Sequence, residues 1–181
     1  MVVAAQKENP FSQHLQSSGV ALLSIETATA KIVGEFPGIL LLHHHQPQDL
    51  CTDQLALVLQ GGWFPAQLHC NHAVAIVDSA SRNAKAAAAA HRLPALTCGL
   101  SSLDTFTLSS LTADSAVIAL RRQICALDGS VTEPFELPVT FGGGVEPFEL
   151  LSAAAALCLL GEHNPLVRLS RWHIPSLHKN F

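Results

Sequence analysis

The chain has 181 residues, of which 49% are hydrophobic and only 13% charged, against about 25% charged in an ordinary soluble domain. That balance excludes a disordered chain, because ample apolar surface is present to offset chain entropy. A formal charge of −4 without any basic stripe argues against nucleic-acid binding by phosphate neutralisation, and the length suits one domain.

Residues 1–18 read as a polar lead-in with a short helix over 10–16. Residues 20–25 are an apolar run of strand length that ends at Glu26, and 27–33 suit a helix. Pro37-Gly38 punctuates, and 39–42 form a second apolar run without alternation. Such continuous runs point to strands buried on both faces, as in a parallel sheet. The spacing predicts a helix over 53–60, closed by Gly61-Gly62, and a third buried strand over 73–77. Residues 81–92 form an alanine-rich helix with Arg92 near its end, where positive charge suits the dipole. A fourth strand follows over 95–98.

After residue 100 the pattern changes to short segments of partial alternation at 106–111, 116–121, 124–127 and 135–139. Asp128-Gly129 is a hairpin turn signal. Residues 147–160 make a helix, with Pro147 at its start and Gly161 just past its end, the usual asymmetry. The expected fold is therefore α/β: a mostly parallel sheet with helices, then a small antiparallel section and a final helix. The expected division is a lead-in over 1–18, the domain over 19–161 and an irregular tail over 162–181.

Five scattered cysteines without a Cys-x-x-Cys pair point to reduced thiols in the cytoplasm. No apolar run approaches the ~18 residues of a membrane span. His43-His44-His45 stands just beyond a strand end, where open parallel sheets bind ligands. Glu26, Asp49 and Asp78 accompany strand ends too, and with His44 they make a plausible N/O metal set. His69 and His72, flanking Cys70, could add ligands. Extended backbone points consecutive side chains to opposite faces, so the three histidines cannot all converge. The expected metal candidates are Glu26, His44 and Asp49, with His43, His45 and Asp78 as further strand-end groups. Phe141-Gly142-Gly143-Gly144 has no neighbouring lysine, and Glu146 and Glu149 after it would repel phosphate, so it reads as a turn into a capped helix. No Gly-x-Ser-x-Gly elbow occurs, and Trp63-Phe64 reads as a core or interface anchor.

Together these segments resemble the central domain of the Mur ligase family, the ATP-dependent amide ligases of peptidoglycan synthesis. Leu22-Leu23-Ser24-Ile25-Glu26 looks like the family strand that ends in a metal-binding glutamate. Residues 36–50 follow the segment that ends in Thr-Asn-Ile-x-Pro-Asp-His-Leu, and 75–81 resemble the strand ending in Asn-Ala-Asp-Asp. Residues 92–100 match the next strand, and 136–161 resemble the segment carrying Gly-x-His-Asn-x-x-Asn-x-Leu-Ala-Ala. Within that resemblance the chemistry is replaced. His44, Gln48 and Asp49 stand at the Asn-x-x-x-Asp-His positions. Asp78 and Ser81 replace the nucleotide-binding Asn and the last Asp of the third strand. Val145, Glu146 and Glu149 replace the His-Asn and later Asn. No lysine occurs between Lys31 and Lys85, and the P-loop half is missing.

ATP chemistry needs a phosphate cradle, a positive charge and a held divalent ion. The resemblance therefore implies a non-catalytic domain with a binding, scaffolding or regulatory role beside cell-wall ligases. No cofactor is expected beyond a divalent metal weakly bound at the strand ends. The expected partners are a second copy or another protein, with no nucleic acid and no membrane, because a sheet without its P-loop strand would leave an edge uncovered. Two other readings stay open: a ligase subunit whose P-loop lies on another chain, and a metal-dependent enzyme built on the histidines.

Overall fold

A computed structural model describes residues 1–5, 14, 15, 17, 18, 22–25, 39–43, 49–61 and 63–175. In chain order the strands are β1 (Val2–Ala5), β2 (Leu22–Ile25), β3 (Ile39–His43), β4 (Asp49–Leu59), β5 (Gln67–Asp78), β6 (Ala95–Cys98), β7 (Phe106–Leu111) and β8 (Ser115–Leu120). β9 (Ile124–Cys125), β10 (Val131–Thr132), β11 (Phe135–Phe141) and β12 (Trp172–Ile174) follow. The α-helices α1 (Arg82–Ala90) and α2 (Pro147–Cys158) lie between them among the described residues.

Ten strands form one sheet in the order β12-β11-β8-β7-β6-β5-β4-β1-β3-β2, and β9 pairs with β10 in a small antiparallel ladder. From β2 across to β7 every neighbouring pair is parallel. β7, β8 and β11 are antiparallel, and β12 returns parallel to β11. The chain is thus an α/β protein whose mostly parallel sheet leads into an antiparallel section.

The parity of the central strands builds the layers. Leu55, Leu57 and Leu59 of β4 share a face with Ala75 and Val77 of β5, and this face packs with Trp63 and with Ala84 and Ala88 of α1. The alternate residues Ala56, Val58 and Ile76 face the other way, into a core with Cys98, Phe106, Ile118 and α2. Helix α2 is buried from Leu150 to its end. Its alanines at 153–156 keep the helix narrow where it lies against the sheet. Truncating one of the large central residues, such as Leu57, is expected to cost about 2–5 kcal/mol, the range for buried Leu to Ala.

Four elements differ from the sequence expectation, each for a physical reason. Residues 53–60 belong to strand β4 rather than a helix. The Leu-Ala-Leu-Val-Leu run sits between β1 and β5, and burial on both faces overrides the helical preference of its Gln and Leu residues. Val2–Ala5, inside the expected lead-in, is a strand between β3 and β4, with Val3 level with Leu41 and Ala56. Within the tail, Trp172–Ile174 adds strand β12 beside β11, after 3-10 turns at Gly161–His163 and Pro165–Arg168. Arg92 lies beyond α1 at a φ of 54° rather than in its last turn. The expected helix at 27–33 lies outside the described residues.

Strand β5 begins at Gln67, six residues before the expected 73–77, and β10 was not expected, whereas α1, α2, β6, β7, β8 and β11 form close to where expected. Ser81 caps α1, its Oγ accepting from Ala84 N at 3.2 Å, and Glu146 caps α2 by accepting from Glu149 N at 3.1 Å. Gly129 takes the positive φ, 86°, that the turn after Asp128 requires. The Asp128 carboxylate accepts from Ser130 N, Ser130 Oγ and Glu162 N, tying this turn to the 3-10 turn after α2. The slight desolvation of this exposed carboxyl raises its pKa, but those hydrogen bonds outweigh the effect and hold it below the ordinary value.

Residues 14, 15 and 17 are helical, and Leu15 is fully buried in the α2-side core. Trp172 Nε1 donates to Ser17 Oγ at 2.9 Å, joining this turn to β12. His14 is buried, and neither ring nitrogen has a hydrogen-bond partner among the described residues. Burial lowers its pKa from 6.5 to about 4. Between those values the unfolded chain binds a proton that the folded chain does not, so stability falls as pH drops from 6.5 toward 4. Replacing His14 by Leu should remove that slope, on the order of 3 kcal/mol at its acid end. Urea unfolding of both proteins across this range checks it; parallel stability curves for the two proteins would contradict it.

Candidate functional site

In an open α/β sheet the carboxyl ends of the parallel strands are where a ligand is met. Here β5 ends at Asp78 and β6 at Cys98, level with one another. Asp78 Oδ1 accepts from Ala80 N at 2.9 Å and so shapes the turn into α1. On the adjoining loop, Asp104 is buried, its Oδ2 accepting from Ser79 Oγ and from Ser101 N, both at 3.0 Å. Thr97 Oγ1 accepts from Thr105 N at 3.0 Å. These bonds close the loop over the end of β6.

Gly99 makes the closure possible. A Cβ there would overlap Ser79 Oγ and stand 2.6 Å from Asp104 Oδ2. The same loop carries Leu100 and Leu103, 66% and 79% exposed, and Arg122 donates to the Leu103 carbonyl. The strand end therefore combines satisfied polar groups with two apolar side chains in solvent.

The expected metal candidates are distributed differently. Glu26, His44 and His45 lie outside the described residues. His43 closes β3, level with Ala5 and hence with Val58 of β4. Asp49 opens β4, level with Gln67, at the other end of that strand. Nine residues at about 3.3 Å each put its backbone roughly 30 Å along the strand from Val58. Asp78 shares the carboxyl edge with His43, but β4 and β1 stand between their strands, a gap of about 14 Å. Among the described residues no three His, Cys, Asp or Glu side chains group closely enough to hold a metal.

All five cysteines are free thiols. Burial pushes Cys98 well above its ordinary pKa, helped by the nearby Asp104 and Asp78 carboxylates, and Cys158 up to about 12. Burial also raises Cys70, whose thiol donates to the carbonyls of Asp53 and His72. The adjacent His69 points to the opposite face of the strand, so this Cys-His adjacency does not make an activated nucleophile. Trp63 is a core anchor, and Phe64 stacks on the His91 ring at 3.6 Å.

Sequence reading missed Ser79, Gly99 and Asp104, although the placement rule for strand ends could have pointed to 99–105 as the loop after β6. No family model and no curated protein sequence matches this chain. No helix among the described residues is long and apolar enough to cross a membrane.

Gly99→Ala should break the Ser79–Asp104 hydrogen bond and leave a buried carboxylate short of a donor, at a cost of about 2 kcal/mol. In a chain of this size that lowers Tm by about 4–8 °C. An unchanged melting curve would show that the loop closes differently.

Proposed function

We propose that this chain is a non-catalytic binding or assembly domain that works as a homo-oligomer or docked on another protein. The observation that carries the reading is the carboxyl edge of β5 and β6. There Asp78, Ser79 and Asp104 bond to neighbouring groups of their own loops, while Leu100 and Leu103 project outward. Polar groups committed to backbone and to one another favour a scaffold over a reacting centre, and exposed leucines on one loop favour a protein partner. The low share of charged residues, 13%, points the same way. The resemblance to Mur ligases makes a cell-wall ligase the first partner to test, and the replaced ATP-site positions make the domain non-catalytic in that setting.

Light scattering at micromolar concentration should report a mass above 19.2 kDa, or a complex with the partner. The double variant Leu100→Glu/Leu103→Glu should return the monomer or release the partner while leaving the melting curve in place. Calorimetric titration with Mg-ATP should show no binding tighter than a Kd of about 100 μM, roughly −5.5 kcal/mol. Binding of Mg-ATP below that value would instead support the ligase-subunit reading, and a monomer without a partner would overturn the assembly role.

A further inference from the structure

The antiparallel end of the sheet has two unlike faces. Ala116 and Ile118 of β8, Val139 and Phe141 of β11, and Trp172 and Ile174 of β12 are buried toward α2. The alternate positions face the other way. Val117 is level with Pro138, and Thr140 with His173, so these side chains share the outer face across three strands. Arg171, in the bend just before β12, lines the same side. Together they line a groove of about 450 Å3 whose far wall holds Asp114.

We infer that this groove binds a small organic monocarboxylate with a short apolar body. Its β12 side supplies the anion-recognising groups. The Arg171 guanidinium is a planar fork that matches a carboxylate with two parallel hydrogen bonds. Thr140 Oγ1 lies 3.1 Å from His173 Nδ1; when the hydroxyl donates there, the ring proton sits on Nε2, leaving a second N–H donor. Val117 and Pro138 form the apolar floor between the two walls. The Asp114 side chain accepts from Thr112 Oγ1 at 2.9 Å, and its negative charge on the far wall opposes a dianion. That opposition is stronger for the phosphate dianion than for a singly charged carboxylate. The volume falls in the range of about 300–1,000 Å3 that small ligands occupy.

Butyrate, acetate and inorganic phosphate are the probes, titrated into the full chain and read by the ring 15N signals of His173 and by calorimetry. Butyrate should saturate with a Kd of about 1 mM, roughly tenfold tighter than acetate because it buries two further CH2 groups. The His173 ring should carry its proton on Nε2 in the complex. Arg171→Ala should abolish saturation, and Arg171→Lys should weaken it by losing the fork while keeping the charge. Arg171 is exposed, so both variants should melt like the parent. No saturable shift at His173 with butyrate at ten times that Kd would overturn the inference. So would undiminished binding in Arg171→Ala, or phosphate competing as well as butyrate.

Discussion

Burial of both faces of the β4–β5 pair is the constraint on which the rest of the molecule depends. A strand with leucines on one face and Ala56 and Val58 on the other has no face to give to water. Parallel strands of this kind need cover above and below. Helix α1 with Trp63 covers one side, and α2 covers the other. Because α2 is itself buried along its length, it must be enclosed in turn. The Asp128 turn, the 3-10 turn at Pro165–Arg168, and the N-terminal turn that holds Leu15 pack around it. The Trp172–Ser17 hydrogen bond then links the two ends of the described chain.

The antiparallel section was legible because its strands alternate and its turn carries a residue pair with one conformational meaning. β7 occupies 106–111 as the alternation requires, and Gly129 takes the positive φ that Asp128-Gly129 announces. Helix α1 was legible from its alanine run, and α2 from Pro147 at its start and Gly161 past its end. Strand β4 was not, because a continuous apolar run of five residues carries no period that separates a buried strand from a buried helix. Only its neighbours, β1 on one side and β5 on the other, decide the matter, and neither is local in sequence. Val2–Ala5 was obscured for the same reason: four small apolar residues read as part of a polar lead-in until the sheet supplies a slot between β3 and β4.

The candidate site shows a similar division. Asp78 was identified from its position after a strand, and it stands at the carboxyl edge as that position implies. Asp104 gave no signal, because its importance comes from a bond to Ser79, twenty-five residues earlier. Asp49 looked like a companion of the histidines because they are close in sequence. Strand register separates it instead, since β4 begins at the opposite end of the sheet from where β3 finishes. The groove at the antiparallel end follows the same logic, for Arg171, Thr140 and Val117 meet only through the pairing of β12, β11 and β8. A chain with this little charge spends its polar groups locally, on caps, turns and loop closures.

Native-state hydrogen exchange tests the central constraint most directly. Amides at 55–59 and 75–77, together with those of α2, should exchange slowest of all, opening only with global unfolding. The ribbon at 67–72, solvent-facing along most of its length, should exchange many-fold faster. Exchange at 55–59 as fast as at 67–72 would contradict a β4 strand covered on both faces, and with it the layered account of the fold.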